Sequence, residues 1–242
     1  MSFDAKEIFN DVNNGGNVTK ISVDISQRVL QTGVQPGSNV PLAAYLLYKV
    51  AQSGTRSEIT MQDIFEGRLD ISEDILYFAK EQLSEEAWAQ LLPMVDSYAA
   101  EEFALAALLS EHEDEMKLAM TTPHTILTLV QHLLDVQPDE YVGDLCCGSG
   151  SGFVSFAMNQ PDAHYFGYEI NEERGGIARI RAELLGSNVQ VRLGDVFQLA
   201  DDKNTPRVTT HIKDPNTSGE KSALPRLSKP REVTAMLAAS VS

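Results

Sequence analysis

Hydrophobic and polar positions divide the chain into three stretches. In residues 1–119, apolar side chains recur at helical spacing, most clearly over Asn39–Gln52. Ser72–Leu83 and Ser84–Tyr98 each begin with a serine followed by acidic residues, which is typical of helix N-termini because serine caps a helix and acids suit its positive end. With the alanine- and leucine-rich Glu101–Ser110, these segments predict a mostly helical N-terminal region.

Ile21–Ser38 has a weaker pattern than the segments that follow it. It contains Gly33 and the pair Pro36-Gly37, and both features interrupt helices and favour turns. We therefore expect a loop or a short hairpin in this part of the N-terminal region.

Residues 120–200 alternate between helix and strand patterns. The predicted elements are a helix over Pro123–Val136, a strand over Tyr141–Leu145, a helix from Phe153 to Asn159, a strand over Ala163–Glu169, a helix over Asn171–Leu185 and a strand over Val189–Leu193. Strands joined by helices in this way form the first half of a doubly wound parallel sheet. The expected fold class is therefore α/β and Rossmann-like, with the helical region in front.

The pattern changes after Ala200. Residues 201–231 contain four prolines, and basic side chains outnumber acidic ones by seven to four. Only 47 residues follow Asp195, whereas a parallel strand–helix–strand unit takes roughly 30 residues or more. We therefore expect a partial sheet whose first strand lacks one neighbour, and a loosely structured tail over residues 201–242. The alternative is that Val208–Ile212 folds onto that edge as a fourth strand.

The turn after the first predicted strand has the composition of a nucleotide-binding loop. Gly148, Gly150 and Gly152 follow the strand and open a helix, so backbone can approach a ligand closely and helix amides can face it. Glu169 ends the second predicted strand, 17 residues after Gly152, where a carboxylate can accept both ribose hydroxyls. Asp195 follows the third strand, where it can accept a hydrogen bond from an adenine amino group.

Glycines in this arrangement also serve NAD and FAD, so they do not identify the ligand. Asp144 precedes the glycines, where its carboxylate can meet the cationic amino group of a methionine moiety. A turn that binds pyrophosphate would gain nothing from a carboxylate at this position. Asp144 and Asp195 together favour S-adenosylmethionine (SAM) over a dinucleotide.

Charge and cysteine content restrict the possible partners and compartment. The net charge is −16, from 35 acidic and 19 basic residues, whereas a protein that binds DNA alone usually presents a basic face. Any contact with DNA is therefore expected through other subunits or a missing segment. The only cysteines, Cys146 and Cys147, are adjacent, and no signal peptide or membrane span is apparent, so we expect a cytoplasmic protein.

The run Glu111-His112-Glu113-Asp114-Glu115 has residue types that bind metals. Charge blocks of this kind are usually solvated helix ends or linkers. We therefore expect no metal site in this segment.

The segment Thr121–Gly152, TTPHTILTLVQHLLDVQPDEYVGDLCCGSGSG, resembles the SAM-binding segment of adenine-specific DNA methyltransferases. The modification subunits of type I restriction–modification systems are the most similar group. They share a Thr-Pro pair, here Thr122-Pro123, and an Asp-Pro-x-Cys-Gly-Ser-Gly turn, here Asp144–Gly150. Leu145 replaces the usual proline of that turn.

The resemblance implies a class I SAM-dependent methyltransferase fold that transfers a methyl group from SAM to the amino group of DNA adenine. It implies restriction and specificity subunits as partners. It also implies a set of cofactor contacts, which are Thr122, Asp144, Cys146, Gly148, Gly150, Glu169 and Asp195.

The catalytic signature of the family is Asn or Asp, two prolines and an aromatic residue, which together hold a flipped-out base. The sequence has no such tetrapeptide, and the nearest string, Asp214–Thr217, lacks the second proline and the aromatic residue. No catalytic residue is therefore assigned. Residues after about Ala200 are expected not to continue the family, because of a frame change or a premature end, and the chain alone is expected to be inactive. A non-catalytic SAM-fold interaction module and a methyltransferase for a non-DNA substrate are the alternatives.

Overall fold

The computed structural model describes residues 17–33, 39–54, 59–110, 122–186, 188–196 and 233–236. A mostly helical region comes first, as the sequence predicts. Its elements are α1 (Asn17–Gln31), α2 (Asn39–Ser53), α3 (Met61–Phe65), α4 (Glu73–Gln82), α5 (Glu85–Leu91), a 3₁₀ helix (Leu92–Asp96) and α6 (Ala100–Leu109).

Two of these elements differ from the sequence prediction. Helix α1 occupies most of the segment for which a loop or hairpin was expected, because Ile25 and Val29 lie one helical turn apart and are both fully buried. Gly33 adopts a φ of +81° just after the helix, so it ends α1. The helix predicted over Ser84–Tyr98 gives way to a 3₁₀ helix after α5, because Pro93 has no amide hydrogen for the helical bond.

Side-chain caps fix where two of the short helices begin. The Thr60 hydroxyl accepts the amide of Asp63 at 3.1 Å, and the Asp63 carboxylate accepts the amide of Thr60 at 2.9 Å. The Ser84 hydroxyl accepts the amide of Ala87 at 3.2 Å, as its sequence context predicts. Ser72 stands before α4 but makes no such bond, so the acids after it favour the helix through its dipole.

The helical region has an apolar core of its own, here called the helical core. Trp88 lies within it at 2% exposure, and its indole nitrogen donates to the carbonyl of Ile59 at 2.9 Å. Helix α2 is buried over every residue from Leu42 to Leu47, which is typical of a helix surrounded by others. Its principal neighbours are α1 and α6.

The second region alternates strands and helices. It comprises α7 (His124–Leu134), β1 (Tyr141–Asp144), α8 (Ser151–Asn159), β2 (His164–Glu169), α9 (Glu172–Leu185), β3 (Val189–Leu193) and β4 (Val233–Met236). The strands form one parallel sheet in the order β3-β2-β1-β4. The elements predicted over residues 123–193 are all present, and their ends shift by no more than two residues.

Strand β4 corrects one expectation about the sheet. The free edge expected beside β1 is occupied, because Tyr141–Asp144 pairs with Val233–Met236 in parallel register. This is the place of a fourth strand in a doubly wound sheet. The strand comes from residues 233–236, and the alternative candidate Val208–Ile212 lies outside the described residues.

Helix α9 belongs to both regions. Its Ile177 and Ile180 are fully buried in the helical core, whereas Ala178 and Ala182 pack in the core beneath the sheet, here called the sheet core. Polar contacts join the same helix to the helical region, since Glu183 accepts from the Tyr45 hydroxyl and pairs with Lys49 at 2.8 Å, and Arg179 pairs with Asp74 at 3.0 Å. Helical and sheet regions therefore share one structural element.

Candidate functional site

The carboxyl ends of β1, β2 and β3 meet at one edge of the sheet. Cys147 in the turn after β1 donates its amide to the carbonyl of Tyr168 at 2.9 Å. Gly194, just after β3, donates its amide to the carbonyl of Glu169 at 2.9 Å. The turn and the three strand ends therefore adjoin, and Asp144 and Glu169 are the last residues of their strands. This is the edge at which ligands bind in open α/β sheets.

Glu169 is held by backbone amides from both sides of the site. One carboxylate oxygen accepts the amide of Gly148 at 2.8 Å, and the other accepts the amide of Asn171 at 2.8 Å. The side chain is 8% exposed. Because an ionised carboxylate offers about four acceptor positions, capacity for two further donors is left. A pair of ligand hydroxyls would match that capacity.

Asp144 is a second buried carboxylate at the same edge, with 3% exposure. It accepts the amide of Cys146 at 3.1 Å. Its pKa is raised to about 6, chiefly because the group is buried; the hydrogen bond from the Cys146 amide opposes this shift, and the charge of Glu169 adds to it. A carboxylate in this setting gains from a nearby cation, which would favour its ionised form.

The two predicted glycines of the turn have different roles. Gly148 adopts a φ of +57°, and a Cβ placed there would meet nothing within 4 Å, so its backbone borders open space. Gly150 adopts a φ of +80°, but its added Cβ would lie 3.2 Å from the Cα of Ala178. Gly150 therefore lets the turn pack on α9 and begin α8, whereas Gly148 offers the room that a ligand requires.

The two cysteines of the turn also differ. Cys146 is exposed, whereas Cys147 is buried against the backbone of Gly167. Burial raises the pKa of both thiols, and the charges of Asp144 and Glu169 raise them further. Both side chains are therefore neutral thiols at physiological pH. Cys147 is a packing residue, and Cys146 remains a predicted cofactor contact through its place at the surface.

Thr122 and Asp195 lie at the ends of the predicted site. Thr122 is half-buried before α7, where Pro123 occupies the N-cap position. Among the described residues, no hydrogen bond joins Thr122 to the turn, so its cofactor role stays a prediction. Asp195 is half-buried beside Gly194, whose amide donates to the backbone carbonyl of Glu169. Asp195 therefore lies at the carboxyl edge of the sheet.

Two residues of the site were not predicted from the sequence. Asn171 caps α9 and donates its amide to Glu169. Arg181 lies on α9 at 4% exposure and donates to the carbonyl of Ser149 at 2.9 Å. A signal for Arg181 exists in the sequence, since it is a charged residue among the apolar positions Ile177, Ala178, Ile180 and Ala182.

The described residues contain neither a group of metal-binding side chains nor a membrane-spanning helix. No group of three or more His, Cys, Asp or Glu side chains there could hold a metal ion. No described helix is long and apolar enough to cross a membrane. The run Glu111–Glu115, for which no metal was expected, lies outside the described residues.

A parallel sheet in the order β3-β2-β1-β4, with a glycine-rich turn and acidic strand ends at its carboxyl edge, defines a Rossmann-like α/β protein. Residues 101–220 match the model of the N-6 DNA methylase family. Residues 101–220, just under half of the chain, are therefore similar to N-6 DNA methylases, and the described sheet is Rossmann-like. The match extends to residue 220, and the expectation that residues after about Ala200 do not continue the family stays a prediction.

Two solved structures resemble the chain at a distance. One is the methyltransferase subunit of a type I restriction-modification system from Streptococcus thermophilus, with 17% identity, a TM-score of 0.46 and coverage of 71% of this chain and 42% of that one. The other, from Listeria monocytogenes, is described as a class I S-adenosylmethionine-dependent methyltransferase, with 16% identity, a TM-score of 0.38 and coverage of 66% and 54%. The chain thus spans less than two thirds of either protein. No curated protein matches it.

Proposed function

We propose that this chain binds SAM at the carboxyl edge of its sheet. We further propose that it supplies the SAM-binding part of an adenine-N6 DNA methyltransferase of a restriction–modification system. The observation that carries the proposal is the pair of buried carboxylates, Asp144 and Glu169, on either side of a glycine-rich turn with open space at Gly148. The family match over residues 101–220 supports the DNA methyltransferase class.

The residues present fit SAM better than a dinucleotide. The Asp144 carboxylate is buried, and its pKa is raised to about 6, so the cationic amino group of SAM would relieve the cost of its charge. A pyrophosphate would instead add negative charge beside two carboxylates. Glu169 retains acceptor capacity for the two ribose hydroxyls, and Asp195 is an acceptor for the adenine amino group.

SAM supplies the electrophilic methyl group. The protein binds and orients it through Asp144, Glu169 and Asp195, while the backbone of Gly148 borders the ligand. Methyl transfer to an amino nitrogen needs no protein nucleophile, so positioning contributes most of the rate enhancement. Thr122 and Cys146 complete the proposed cofactor contacts.

We propose that DNA is held largely by other subunits, namely the specificity and restriction subunits, or by a segment outside this chain. The net charge of −16 opposes binding to a polyanion, because few cations are available to replace the counterions of DNA. The tetrapeptide that holds the target base is also absent from the sequence.

Calorimetry with SAM tests the cofactor site. Glu169→Ala should weaken binding by about 1.5–3 kcal/mol, because charge-assisted hydrogen bonds to the ribose are lost. The matched control is Glu172→Ala, an exposed acid in the first turn of α9, which should bind SAM like the wild type. Equal affinity of wild type and Glu169→Ala, or tighter binding of NAD than of SAM, would contradict the assignment.

Transfer of a tritiated methyl group tests the activity. The purified chain alone should transfer none to DNA above a no-enzyme control, whereas addition of a companion chain that carries the base-binding tetrapeptide should restore transfer. Transfer by the chain alone would show that it is a complete enzyme.

A non-catalytic interaction module is the second candidate, and the missing tetrapeptide favours it. The two candidates differ in what a companion chain does. If SAM binds but no companion chain restores transfer, the module is the better account.

A further inference from the structure

Arg181 is a buried cation whose guanidinium reaches two separate segments. One terminal nitrogen donates to the carbonyl of Ser149 at 2.9 Å and to the hydroxyls of Ser149 and Ser151 at 3.2 and 3.1 Å. The other terminal nitrogen donates to the carbonyl of Ser110 at 2.7 Å. Arg181 therefore contacts both the glycine-rich turn and the end of α6.

These contacts fix the orientation of one peptide group in the turn. The peptide between Ser149 and Gly150 is held at its carbonyl by Arg181 and at its amide by the carbonyl of Cys147, 2.9 Å away. The peptide between Cys147 and Gly148, two peptides earlier, is held at its amide by Glu169 at 2.8 Å. A buried cation and a buried carboxylate thus restrain two peptide groups of the same turn.

Helix α9 braces the turn at a second point. Ala178, one helical turn before Arg181, lies close to Gly150. A Cβ added to Gly150 would be 3.3 Å from the Cβ of Ala178. Arg181 extends this packing contact with directional bonds, and a buried guanidinium has the rigid planar geometry that such a bridge requires.

We propose that Arg181 is a positioning residue, which sets the glycine-rich turn in its ligand-binding conformation and ties it to the end of α6. This role rests on the proposed function, because the ligand is SAM. A turn that is ordered before binding loses less conformational entropy when the ligand arrives, so the bridge increases affinity without contact between Arg181 and the ligand. Because linkage is reciprocal, SAM should in turn stabilise the end of α6.

Arg181→Lys tests the bridge, since lysine keeps the charge but has a single nitrogen that cannot span both carbonyls. In the unliganded full chain, amide hydrogen exchange at Gly150 and at Ser110, which caps the end of α6, should become at least about tenfold faster. SAM affinity should fall about tenfold or more, as expected for loss of charge-assisted hydrogen bonds.

The matched control is Arg179→Lys on the same helix. Arg179 pairs with Asp74 at 3.0 Å and belongs to the opposite, helical-core side of α9. Arg179→Lys should leave amide hydrogen exchange in the turn and SAM affinity unchanged. A general loss of packing would instead raise exchange in β1 and β2 as well, so rates confined to the turn and the end of α6 distinguish positioning from a merely structural role.

Each outcome decides between the proposals. Unchanged exchange at Gly150 and Ser110 in Arg181→Lys overturns the positioning role, whether or not SAM binds. If Arg181→Lys makes exchange at Gly150 and Ser110 faster but the wild type does not bind SAM, the bridge still orders the turn, and SAM is rejected as its ligand. Faster exchange with unaltered SAM affinity overturns the link between order and binding.

Discussion

The helical core and the sheet core are built on different principles. The helical core is formed almost wholly by apolar side chains, and its largest member, Trp88, has its only polar atom bonded to a backbone carbonyl. The described part of the sheet region places three acidic or basic side chains in buried positions, Asp144, Glu169 and Arg181. Burial of charge costs free energy unless each group is paired and hydrogen-bonded. The helical core therefore contributes mainly stability, and the sheet region uses part of that stability to hold a polar site.

The buried groups of the sheet region are bonded largely to backbone, and not to one another. Glu169 accepts two amides and Arg181 donates to two carbonyls, so the glycine-rich turn serves as their common partner. Backbone partners cannot rotate away, and they leave carboxylate capacity for a ligand. The difference between the two cores is thus a difference in how much polarity each can tolerate.

Truncation of Trp88 should have the largest effect on stability. Trp88→Ala removes a buried aromatic and leaves the carbonyl of Ile59 without its donor, so the free energy of unfolding should fall by about 3–5 kcal/mol. Urea denaturation followed by circular dichroism measures the change. The control is Tyr77→Ala, whose side chain is 64% exposed and which should change stability by less than about 0.5 kcal/mol. Similar losses in both variants would show that the helical core is not the source of stability.

The sheet elements could be predicted because each has a local signal. Strands β1 to β3 are short β-prone runs, and glycines, prolines and acidic caps separate them from their helices. The positions of Asp144 and Glu169 follow from the same pattern, since carboxyl ends of parallel strands share one edge.

Features that depend on distant residues could not be predicted. The pairing of β4 with β1 joins residues about ninety positions apart, and residues 201–242 lack the alternation of strand and helix patterns that would indicate it. Arg181 acquires its role only when α9 packs on the turn, thirty residues earlier in the chain. The prediction of a loop or hairpin over Ile21–Ser38 rests on Gly33 and Pro36-Gly37, which lie after the end of α1, whereas the spacing of Ile25 and Val29 indicates a helix.

Substitution of Asp144 should show the cost of one buried charge. Its pKa is raised from 3.8 to about 6, so the folded state holds the proton more tightly than the unfolded state. The resulting stabilisation is fully present below about pH 3.8 and is lost as the pH rises through about 6. Asp144→Asn should therefore match the wild type near pH 4 and exceed it at pH 7 by about 2–3 kcal/mol, while SAM binding weakens.

The control for this comparison is Asp139→Asn, an exposed residue in the turn before β1 with a φ of +65°, a conformation that asparagine also tolerates. Its stability should follow that of the wild type at every pH. A difference between Asp144→Asn and wild type that does not vary between pH 4 and pH 7 would show that the pKa of Asp144 is not raised.

A smaller change tests whether the two cores unfold together. Gly167→Ala places a methyl group 2.5 Å from the Phe153 ring and 2.8 Å from the Cys147 sulfur, so the sheet core is overpacked. The free energy of unfolding should fall by about 1–3 kcal/mol.

Trp88 is the single tryptophan and lies in the helical core, so its fluorescence reports on the region that the substitution does not touch. Because α9 contributes to both cores, the fluorescence midpoint in urea should shift as far as the circular dichroism midpoint. Gln190→Ala on the exposed face of β3 should shift neither. A fluorescence midpoint that stays at its wild-type value while circular dichroism reports an earlier transition would mean that the helical region folds independently, and that α9 does not couple the two cores.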